Sequence, residues 1–99
     1  MKKGNCIEIA CKKIIENTTW LFCYAKVMGQ GKLKGQRILH AWNEYQDVVF
    51  DFSNGNSIVM RKEKYYQIAK IKEQNVTKQN SKEVTRLMLK TKTYGGWIK

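Results

Sequence analysis

The chain has 99 residues, 42% of them hydrophobic and 11% aromatic, enough for one packed domain spanning residues 1–99 and too few for two. Nineteen Lys and Arg against eight Asp and Glu give a formal net charge of +11, which suggests an acidic protein face or nucleic acid as partner. Three cysteines, one histidine and no C-x-x-C pair argue against a disulfide framework or a metal site, so no metal and no cofactor is expected.

In chain order, Asn5 with Glu8 three residues on has the form of a capping box. Ile7, Ala10, Cys11 and Ile14 recur at helical spacing, which predicts a helix over residues 6–16. Cys6 opens that helix, where free backbone N–H groups lower a thiol pKa. Cys11 and Cys23 read as small buried hydrophobes. The thiols suit a reducing, cytoplasmic setting. The apolar run at residues 7–10 is too short for a signal peptide, and no membrane span is seen.

Residues 19–28 are apolar and aromatic and suit a central strand. Residues 29–35, with three glycines, lack a phosphate-binding pattern and read as a basic hairpin connection. Strands follow at residues 37–45, 48–52 and 57–60, with Asn54-Gly55 suited to a type I′ turn. Residues 62–71 predict a second helix with Tyr65, Ile68, Ala69 and Ile71 inward. Residues 73–79, around Val76, are a polar candidate for an edge strand. Asn80 and Glu83 repeat the capping box and open a helix running to residue 91, with Val84, Leu87 and Met88 as its buried stripe. The tail Tyr94-Gly95-Gly96-Trp97 folds back as a lid or plugs the core. The class is α+β: an N-terminal helix on an antiparallel β-meander of about four strands, with one or two C-terminal helices.

His40 is the residue whose charge changes near neutral pH. If the hairpin after Tyr45 has a two-residue loop, whether Tyr45-Gln46 or Gln46-Asp47, His40 and Asp51 share one sheet face. A three-residue loop would separate them.

Four motifs then occur in order: Gly4-Asn5-Cys6 at a helix start, Ala25-Lys26-Val27-Met28-Gly29 closing a strand, His40-Ala41-Trp42-Asn43-Glu44, and Val48-Val49-Phe50-Asp51 before Ser53-Asn54-Gly55. Over residues 4–55 the chain resembles the transglutaminase-like branch of the papain-like cysteine hydrolase fold. The resemblance implies a triad in which Cys6 attacks an amide or acyl carbon, His40 moves the proton and Asp51 fixes the imidazole tautomer. The Cys6 N–H would help hold the oxyanion. The substrate would be a peptide, protein or small amide; water as acceptor makes a hydrolase, an amine makes an acyltransferase. Trp42 and Trp20 are candidate substrate contacts, with core packing the alternative for Trp42. Glu44 reads as a solvated strand-end residue. The span from Cys6 to His40 is short for the family, and little precedes Cys6, so no upstream oxyanion side chain is expected. The competing reading is a non-catalytic basic protein, like small inhibitors of phage or mobile-element type. It would dock on nucleic acid or an acidic partner, not a membrane, through Lys32, Lys34, Arg37, Lys62 and Lys64.

Overall fold

Helix α1 (Cys6–Glu16) carries its apolar residues on one side and buries Cys6, Ala10, Cys11 and Ile14. The computed structural model describes residues 5–28, 35–55 and 57–98; Gly4 and the loop at residues 29–34, with Lys32 and Lys34, lie outside the described residues. Asn5 takes helical dihedrals (φ −81°, ψ −1°) and makes no side-chain cap bond. A capping side chain reaches back to the helix only from an extended backbone, so the expected box does not form. Glu8 instead pairs with Lys12 at 2.8 Å. The same motif succeeds at α3 (Ser81–Thr91), where Asn80 is extended (φ −86°, ψ 172°) and both bonds with Glu83 are present.

Among the described residues, five strands build the antiparallel sheet: β1 (Leu21–Met28), β2 (Arg37–Tyr45), β3 (Val48–Asp51), β4 (Ile58–Arg61) and β5 (Thr77–Asn80), in the order β4-β3-β2-β1-β5. The meander expectation therefore gains an outer strand on β1. β5 is Thr-Lys-Gln-Asn, without apolar alternation, and it pairs with Leu21–Tyr24 through its backbone. Val76 falls just before it, after a 3-10 turn at Glu73–Asn75. The Asn54-Gly55 step is not a two-residue hairpin: β3 and β4 are joined through a 3-10 turn, Ser53–Gly55, in which Gly55 takes φ 77°.

The period-two alternation of the strands makes two cores. On one face α1 and α3 cover Phe22 and Ala41, with Val84, Trp97 and Ile98 completing the layer. On the other, α2 (Lys62–Ile68) sets Tyr65 and Tyr66 against Cys23, Ala25, Trp42 and Val49. α2 stops short of residue 71 because Lys70 turns left-handed (φ 55°). Its N–H donates to the Gln67 carbonyl at 3.3 Å and the Ile71 N–H to Tyr66 at 2.8 Å, a Schellman closure that tucks Ile71 inward. The tail plugs the core: the Trp97 indole N–H donates to Gln79 at 3.1 Å. Among the described residues, no helix is long and apolar enough to cross a membrane.

Candidate active site

The β2–β3 ladder pairs Tyr45 with Val48, Glu44 with Val49 and Asn43 with Phe50. The loop is therefore Gln46-Asp47, with Gln46 at φ 54°. Continued one step, this register sets Trp42 across from Asp51 and leaves His40 as its diagonal neighbour. β2 runs on to Arg37 paired with β1 alone. The edge of β2 beside His40 is thus not filled by β3, and the first residue of α1 occupies it. Cys6 lies close enough to the His40 ring and the Ala41 backbone for hydrogen bonding from them to act on its thiol.

His40 Nε2 lies 2.8 Å from Asp51 Oδ2. The same oxygen accepts from the Tyr65 hydroxyl at 2.7 Å, while Oδ1 accepts from the Ser53 hydroxyl at 2.7 Å and the Ser53 N–H at 3.2 Å. Burial by itself would raise Asp51, but donation from His40, Tyr65 and Ser53 holds it down at about 2. Burial likewise opposes a charged His40, yet its bonds to Asp51 and Cys6 lift it to about 9. For Cys6 burial raises the pKa, and the His40 and Ala41 hydrogen bonds outweigh it, leaving the thiol below its ordinary value. Cys11 differs: burial, with Glu8 adding to it, pushes it up to about 12. Burial also raises Cys23, with Glu44 nearby as a further cause.

Tyr65 and Ser53 escape a reading of the sequence alone. Tyr65 looks like an inward apolar residue, and its hydroxyl's target is 14 positions away. Ser53 carries a local signal, since an aspartate commonly bonds the N–H two residues on.

One expected substrate contact is corrected. Trp42 is 1% exposed and cannot touch a substrate from the surface. It forms a wall for His40, with ring centroids 6.1 Å apart and planes at 26°. Trp20 is half-buried and stacks on Phe50, with ring centroids 4.0 Å apart. Glu44 is corrected too: it is 1% exposed, not solvated. Its carboxylate accepts from the Trp42 indole at 2.8 Å and from the Tyr66 hydroxyl, and pairs with Lys78 at 3.2 Å.

Of the described basic candidates, Lys62 and Arg37 line different cavities. Lys62 is paired with Glu73 at 3.1 Å, and Lys64 is exposed on α2. Arg37 donates to the Lys26 and Lys70 carbonyls at 3.3 and 3.4 Å. Among the described residues, no three His, Cys, Asp or Glu are placed to hold a metal ion. Cavities of 580, 420 and 360 Å³ are all lined by residues other than Cys6, His40 and Asp51. Comparison with protein-family models, with curated proteins and with solved structures gives no match.

Proposed function

We propose that this protein is a transglutaminase-like cysteine hydrolase or acyltransferase that acts on an amide or acyl bond through Cys6, His40 and Asp51. One observation carries the reading: His40 Nε2 is taken by the Asp51 carboxylate at 2.8 Å, with the Cys6 thiol near enough to the same ring for each to shift the other's titration. That leaves Nδ1 for the sulfur. The order of the four motifs along the chain supports it independently.

The thiol proton passes to Nδ1, giving the thiolate–imidazolium pair that both pKa shifts favour. The sulfur attacks the carbonyl carbon, and the N–H groups of the first turn of α1 receive the oxyanion. His40 protonates the departing amine, the C–N bond breaks and a thioester remains on Cys6. Water or an amine, deprotonated by His40, then attacks the thioester carbon and releases the thiolate. Asp51, kept ionised by its donors, holds the Nε2–H tautomer throughout.

Cys6 is 5% exposed, so its labelling rate also reports how often the surrounding surface opens. Iodoacetamide labelling across pH tests the reading. Cys6 should alkylate with a midpoint below about 8.5, while Cys11 and Cys23 stay slow in the folded protein. His40→Ala should return the midpoint toward that value and slow labelling at neutral pH about tenfold or more, the size expected when a base's pairing is removed. Equal labelling of the three thiols, or indifference to His40→Ala, overturns it. Ammonia release from a glutamine peptide, with and without an added primary amine, then separates hydrolysis from transfer.

A further inference from the structure

A second site stands apart from the cysteine. Lys26, Arg37, Lys70 and Lys72, with Asn75 and Ile71, line a cleft of 420 Å³. Volumes of roughly 300–1,000 Å³ are usual for small-molecule sites. The chain builds this one locally. The left-handed turn at Lys70 sends Ile71 into the core and leaves Lys70 and Lys72 on the outer side. Arg37 is fixed across the cleft by its bonds to the Lys26 and Lys70 carbonyls.

Among the described residues, no carboxylate lines the cleft. Glu73, next to Lys72, is turned to Lys62 and Lys78 instead, at 3.1 and 2.8 Å. Asp47 and Glu63 line a separate cavity. Gathering four cations without a counter-charge is unfavourable for the empty protein and is relieved by a dense anion. A single carboxylate neutralises one of them. Single-stranded nucleic acid is bound on aromatic platforms along a groove, and among the described residues no aromatic side chain lines this cleft. The guanidinium fork and the lysine ammonium groups match phosphate oxygens.

We infer that this cleft binds a polyphosphate group, such as a nucleotide or another phosphorylated small molecule carries.

Calorimetry with sodium triphosphate tests this on the intact chain. The expected result is one-to-one binding that weakens at least tenfold in the double variant Lys26→Gln with Lys72→Gln. The control, Lys82→Gln with Lys90→Gln, removes the same charge from exposed positions elsewhere and should change affinity less than twofold. Arg37→Gln should weaken binding as well; because Arg37 also ties two backbone segments together, the lysine pair is the decisive variant. Absence of binding, equal loss in both double variants, or tighter binding of an oligonucleotide or a polyglutamate peptide than of triphosphate overturns the inference.

Discussion

His40 and Asp51 meet across a diagonal of the β2–β3 hairpin, at 2.8 Å, one step beyond the last pair of the ladder. The end of that ladder leaves room beside His40, and the helix N-terminus bearing Cys6 fills it.

This pairing sets the pH dependence of stability. His40 titrates at about 9 in the folded chain against an ordinary 6.5. Its contribution is therefore complete below pH 6.5 and disappears as pH rises through about 9. Asp51 runs the other way, at about 2 against 3.8, so its contribution is present above 3.8 and lost as pH falls through about 2. Asp51→Asn should remove about 2 kcal/mol of the acid-side loss seen in urea unfolding. The His40 ring midpoint, followed by NMR, should drop by about one unit or more in that variant. A midpoint still near 9 would show that Asp51 is not what holds His40 charged.

Glu44 should be among the costliest positions to truncate. Glu44→Ala strands the Trp42 indole N–H and the Tyr66 hydroxyl in the core and takes a partner from Lys78. Breaking a buried ionic group of this kind costs about 3–5 kcal/mol. Glu44→Gln keeps the shape and an acceptor and should lose less than half of that. Equal losses for the two variants would mean that the carboxylate charge, which Gln lacks, and not shape or an acceptor, is what Glu44 supplies.

Asn43 ties the helix to the sheet. Its side-chain amide donates to the Ala10 carbonyl at 3.0 Å and to Leu21 at 3.2 Å, and Ala10 and Ala41 let the two backbones come close. Asn43→Leu should cost about 1–3 kcal/mol and slow Cys6 alkylation, because α1 would shift along the sheet. Lost stability with unchanged Cys6 labelling would remove Asn43 from any positioning role.

Gly95 holds the tail against α1. It sits at φ 84°, and a β-carbon there would overlap the Ile7 side chain. Gly95→Ala should destabilise by about 1–3 kcal/mol, and pairing it with Ile7→Ala should restore part of the loss in a double-mutant cycle. A variant within about 0.5 kcal/mol of the parent would show that the tail contributes little.

Much of the architecture is legible in local pattern. Apolar spacing at 3.6 marks α1 and the buried face of α3, and the long apolar stretch marks β1, because burial of one face imposes that period. β5 is legible only as a polar edge candidate over residues 73–79 and falls at Thr77–Asn80, because its four polar residues pair through backbone groups that every sequence carries. The two capping boxes look alike as sequence, yet only Asn80 has the extended backbone that lets its side chain reach the helix.

The sequence by itself determined which chemistry is on hand and which positions share a face. One histidine, a cysteine opening a helix and an aspartate closing a strand are identities, and strand parity follows from the period of two. Tertiary structure alone decided the rest: that the loop is Gln46-Asp47 and not Tyr45-Gln46, that Tyr65 and Ser53 join His40 on Asp51, and that Glu44 is buried. The reason is physical. A side chain's exposure and pKa depend on neighbours brought in by the fold, and those that matter most here, Tyr65 for Asp51 and Tyr66 for Glu44, lie 14 and 22 positions along the chain.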